Sequence, residues 1–154
     1  MTTITTVTPV GGFKILRNAT AQATTGQTDW VAVPSWAKYM NVYLNLTDVG
    51  ASTTPSCDLD LVVPDPVLRD DGTVVNYLDW DGITALTAAA QVVIHAGPGI
   101  TGIADDDTGS ATADSVYKLN GPLPAMLGFI VTLDRAEADE GYTYSLAVEF
   151  RRGN

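Results

Sequence analysis

Positive charge is scarce in this chain: 8 Lys and Arg stand against 18 Asp and Glu in 154 residues, a formal net charge of -10. Phosphate backbones are gripped by clustered Lys and Arg, so a sequence pI near 4.1 argues against a nucleic-acid partner. Cysteine is scarcer still, and Cys57 alone permits no intrachain disulfide. His95 is the single histidine. No group of Cys, Asp or Glu surrounds it at metal-ligand spacing, and no G-x-S-x-G element supplies a nucleophile. Catalytic use would require a base and an orienting partner. His95 is therefore read as a surface residue, and no enzyme activity, metal or cofactor is expected. No apolar run approaches the roughly 20 residues that cross a bilayer as a helix, so no membrane partner is expected. The start Met1-Thr2-Thr3-Ile4-Thr5-Thr6 carries no basic stretch followed by a hydrophobic one, which predicts synthesis and use without Sec export.

What the chain does have is apolar residues in strict alternation. Hydrophobic residues make up 45% and charged residues only 17%, enough to build a core and too little charge for wholesale disorder. The length suits one domain over 1–154. From Tyr39 to Thr47, Met40, Val42, Leu44 and Leu46 share one face while Tyr39, Asn41, Tyr43, Asn45 and Thr47 take the other. Such alternation marks a strand with one buried and one wet side. The pattern returns at Cys57, Leu59, Leu61 and Val63, at Ala90, Val92, Ile94 and Ala96, at Leu127, Phe129, Val131 and Leu133, and at Tyr142, Tyr144, Leu146, Val148 and Phe150. The short polar segment Arg135 to Gly141 joins the last two as a hairpin with a longer loop. Phe13 to Asn18, Thr28 to Val33 and Val74 to Trp80 bring the tally to about eight strands. Helix has little claim, since the turn at Pro34 to Lys38 and the Asp81-capped turn through Ile83 and Leu86 lack an apolar stripe. The expectation is an all-β, single antiparallel β-sandwich, jelly-roll-like.

Two segments are expected to stand outside that core. Met1 to Pro9 holds five threonines and reads as a flexible extended arm able to add to a sheet edge. The stretch 97–115 holds four glycines and Asp105-Asp106-Asp107, a long loop of a kind uncommon in compact β domains unless functional or mobile. Gly97-Pro98-Gly99-Ile100-Thr101-Gly102 matches G-x-G-x-x-G, but no helix opens at its last glycine, so a loop is expected rather than a dinucleotide site. The triple Asp lacks EF-hand spacing and is read as a solvated loop. Asp58 and Asp60 read as the wet side of a strand, and Cys57 as a small core residue. Trp30, Trp36 and Trp80 offer two roles, sealing strand ends or forming a sugar platform.

The stretch from Asp29-Trp30-Val31 through Trp36-Ala37-Lys38 to Thr47, the turn Gly50-Ala51-Ser52-Thr53-Thr54-Pro55 and the strand from Cys57 resemble small β-sandwich virion proteins of tailed phages. In that pattern a tryptophan strand, two alternating strands and a closing hairpin follow one another, and Gly128 to Asp134 with Tyr142 to Arg151 resemble the hairpin. The resemblance spans most of 28–151. It implies a capsid decoration (cement) protein on the outside of a phage head, made in the host cytoplasm, with the major capsid protein as partner and a homotrimer suited to three-fold positions of the shell. Thr2, Thr3, Ile4, Thr5, Thr6, Val7 and Thr8 are the assembly contacts expected from strand addition. Neck, tail or fibre-associated virion proteins are the neighbouring expectation. A carbohydrate-binding β-sandwich module is the alternative of another class.

Overall fold

The computed structural model describes residues 6–22, 26–28, 30–50, 56–64, 77–100, 115–134 and 141–153. Among them are eleven strands: β1 (Thr6–Val7), β2 (Phe13–Gln22), β3 (Gly26–Gln27), β4 (Trp30–Ala32), β5 (Tyr39–Asp48), β6 (Ser56–Pro64), β7 (Tyr77–Leu86), β8 (Ala90–Gly97), β9 (Ser115–Asn120), β10 (Met126–Asp134) and β11 (Tyr142–Arg151). Eight have six residues or more. One sheet runs β2-β11-β5-β8-β9, the other β1-β4-β10-β6-β7 with β3 also on β10. The all-β sandwich is thus the architecture of the chain.

The alternating residues meet between the sheets. Met40, Val42, Leu44 and Leu46 of β5, Val92 and Ile94 of β8 and Tyr142, Tyr144, Leu146, Val148 and Phe150 of β11 face Cys57, Leu59 and Leu61 of β6 and Leu127, Phe129, Val131 and Leu133 of β10 in one buried cluster. Each large side chain so buried contributes about 1.5 to 3 kcal/mol relative to exposure. Register keeps the arrangement in place, because a one-residue slip would turn a whole apolar set to solvent. Leu44, for example, lies opposite Leu146 on one side and Val92 on the other. Trp30 seals the β4 end, 1% exposed. Its ring lies where a Cβ on Gly128 would stand 2.9 Å from Cζ3, so only glycine lets β10 pass beneath it.

Four expectations are corrected. Arg135 to Gly141 does not close a hairpin, since β10 pairs with β3, β4 and β6 while β11 pairs with β2 and β5. Two consecutive strands can bury their apolar faces by facing each other across the core as well as by pairing side by side, and periodicity is identical in both cases. The closing-hairpin element of the virion-protein pattern is accordingly not met. The sandwich is also not purely antiparallel, because β9 runs parallel to β8 and β1 parallel to β4. Parallel neighbours need a crossover of a dozen or more residues, so the length of the 97–115 connection follows from topology. Third, the segment from Asp81 to Leu86 continues strand β7 past Gly82, with Ile83 opposite Leu59. Fourth, the described part of the N-terminal arm is docked: Thr6 and Val7 pair with Trp30 and Val31, Val7 packs against the core and Pro9 is buried. Thr2, Thr3, Ile4 and Thr5 lie outside the described residues.

Candidate functional site

The outward face of the five-stranded sheet carries the polar residues that β5 alternation places opposite the core. In register, Asn41 lies between His95 of β8 and Glu149 of β11. The Tyr43 hydroxyl donates to Glu149 Oε2 at 2.7 Å, and Asn41 Nδ2 donates to the Tyr43 oxygen at 3.1 Å and to Glu149 Oε2 at 3.4 Å. That fixes the Asn41 amide, whose Oδ1 is turned to His95 Nδ1. The imidazole therefore holds its hydrogen on Nδ1 toward Asn41 and presents Nε2 on its other side. Asn41 is only 5% exposed although it sits on the expected wet face, and its hydrogen bonds are what make that burial tolerable. Burial, with the hydrogen bond to Glu149 next, holds the Tyr43 hydroxyl above the usual phenol range.

Beside this network opens a cavity of about 360 Å³ lined by Tyr39, Asn41, His95, Ile100, Arg151 and Arg152. Its cations come from the end of β11, where the last strand residue, Arg151, is followed by Arg152. The Arg151 Nε stands 3.9 Å from Glu149 Oε1, beyond hydrogen-bond reach. The Arg152 guanidinium lies over the half-buried Trp36 ring at 4.8 Å, and Lys38 Nζ lies 5.5 Å from the Tyr39 ring centre. Gly97 ends β8 with φ 154°, and a Cβ there would strike the Tyr39 ring and stand 2.9 Å from the Lys38 carbonyl. The glycine thus lets Tyr39 form one wall. Among the described residues, the lining includes no serine, cysteine or carboxylate.

A second surface lies at the β2 edge of the same sheet. Val10 is 89% exposed, Phe13 48% and Ile15 52%. Phe13 and Ile15 lie opposite Glu149 and Ala147, which puts them on the outward face. Gly11 and Gly12, both at positive φ, turn the chain tightly into this strand.

The remaining sequence candidates are dispersed. Cys57 is fully buried, and burial, helped by the charge of Asp58, pushes its thiol up to about 12. Asp58 accepts from the Ser56 hydroxyl at 3.2 Å, and with Asp60 it belongs to the opposite sheet from His95. The start of the glycine-rich motif is a turn: Gly99 N donates to Asn120 Oδ1 and Gly121 N to the Gly97 carbonyl. Asp105, Asp106 and Asp107 lie outside the described residues. Trp30 is core, so a platform of three tryptophans does not exist. Arg151, Arg152 and the buried Asn41 were not anticipated as a site. Two adjacent arginines among eight cations, at the end of a strand that alternates with Glu149, were the available signal. No family model matches the chain, and no curated protein or solved structure is significantly similar to it.

Proposed function

We propose that this chain is a structural virion protein, a capsid decoration (cement) protein that binds the outside of a tailed-phage head and stabilises it. The observation that carries the reading is the exposed apolar surface formed by Val10 with Phe13 and Ile15 of β2, the end strand of its sheet among the described residues. Edge strands with apolar faces invite a further strand or surface. Repetition over many copies lets modest contacts hold. Support also comes from strand order. The runs β2-β11-β5-β8 and β4-β10-β6-β7 follow the order of an eight-stranded jelly roll, an architecture shared by capsid and lectin domains.

The partner on this reading is the major capsid protein, with a homotrimer as the docking unit. The net charge of -10 keeps free subunits apart in solution. The test compares particles with and without the protein under heat or osmotic shock, and measures rebinding of a Phe13→Ser/Ile15→Ser variant. Stabilisation by the parent and loss of rebinding by the variant are expected. Equal particle stability would defeat the cement role, and full rebinding of the variant would defeat the β2 surface. A neck, tail or fibre position is the runner-up that binding to isolated tails would select.

A further inference from the structure

We propose that the cavity at the end of β5, β8 and β11 is a binding site for a small organic carboxylate of about one sugar ring in size, an acidic sugar unit. Nothing in this inference depends on where the protein docks. Charge is the first reason. In a chain of net charge -10, Arg151 and Arg152 line one cavity, and Lys38 Nζ lies over the ring of Tyr39, one of its walls. The neighbouring carboxylate of Glu149 is already engaged by Tyr43 and Asn41 through Oε2. Its other oxygen forms only a long ion pair with Arg151 Nε, at 3.9 Å and outside hydrogen-bond reach. The terminal amino groups of Arg151 are left to pair with an incoming carboxylate, for which the planar fork is well matched.

Orientation is the second reason. Arg152 is steadied by its place over the Trp36 ring, so less side-chain freedom is lost on binding than for an unsupported arginine. The His95 ring is held by Asn41, itself fixed from the other side by Tyr43 and Glu149, which leaves Nε2 to accept from a ligand hydroxyl. Size and wall chemistry set the body of the ligand. The volume of about 360 Å³ is at the small end of ligand pockets and more than a bare inorganic ion fills. Tyr39 and Ile100 supply the apolar side that the C–H face of a sugar ring needs.

The experiment is calorimetric titration of the full chain at low salt with D-glucuronate, D-glucose and inorganic phosphate. Glucuronate should bind about tenfold or more tighter than either of the others, and R151Q and R152Q should each weaken it about tenfold. H95F should weaken it less, and K14Q, which removes a cation outside the cavity, should leave it unchanged. Thermal melts of R151Q and R152Q should match the parent, since both side chains are exposed. Glucuronate binding no tighter than glucose, or undiminished in the R151Q/R152Q double variant, would overturn the proposal. Phosphate binding as tightly as glucuronate would overturn the sugar-acid assignment. Each of these outcomes is separate from particle rebinding, which reads the β2 edge.

Discussion

Leu44→Ala is the sharpest test of how the sandwich holds together. Leu44 lies mid-strand in β5, the centre of its sheet, 1% exposed and flanked in register by Leu146 and Val92. Truncation removes three carbons, a transfer loss of about 2.5 kcal/mol at roughly 0.8 per group. Two hydrogen-bonded sheets cannot close readily on the space, so a cavity cost carries the total toward 3 to 5 kcal/mol. For a chain of this length that corresponds to a fall in Tm of roughly 8 to 15 °C. Urea unfolding followed by circular dichroism should show a lower midpoint with an unchanged slope. Thr47→Ala is the internal control, since its exposed side chain loses only a hydrogen bond to the Thr143 carbonyl and should shift stability by about 1 kcal/mol or less. A Leu44→Ala protein within about 0.5 kcal/mol of the parent would refute the packing described.

Three further outcomes are expected. Gly128→Ala should cost about 1 to 3 kcal/mol by overpacking and alter tryptophan emission, because the new methyl would press on the Trp30 ring; unchanged stability and emission would show that β10 does not pass under that ring. Cys57 should resist thiol reagents at pH 8 until the protein unfolds. Its folded thiol, at about 12, keeps its proton after the unfolded thiol has released its own, so its contribution is intact below about pH 9 and falls by roughly 1.4 kcal/mol per unit up to about pH 12. Alkaline unfolding of Cys57→Ala should lack that component, and identical pH profiles would contradict it. Phe13→Ser/Ile15→Ser should change the free protein's stability by about 1 kcal/mol or less while removing particle binding, which melting curves and co-sedimentation can separate.

The core was legible because alternation reports which residues share a buried face. Leu44, Leu61, Ile94, Val131, Leu146 and Val148 are all buried where the pattern puts them. Pairing was not legible, since β10 and β11 would alternate identically as a hairpin or across the sandwich. Strand β9 escaped notice because Ser115 to Asn120 mixes small, charged and apolar residues with weak alternation. It is an edge strand beside β8, where only one side must match a partner. The site was half visible. Tyr39, Asn41 and Tyr43 lie on the face opposite the core as expected, but the meeting of Asn41 with His95 and Glu149 depends on the register of three strands separated by up to 108 positions.

The most direct test of the proposed role is a cryo-EM map of the native phage particle. Density for a two-sheet domain on the outer surface of the head, with the β2 edge and Phe13 turned to the shell or to a neighbouring copy, is the predicted result. A map with this domain on the tail, or with no such domain on the head, would contradict it.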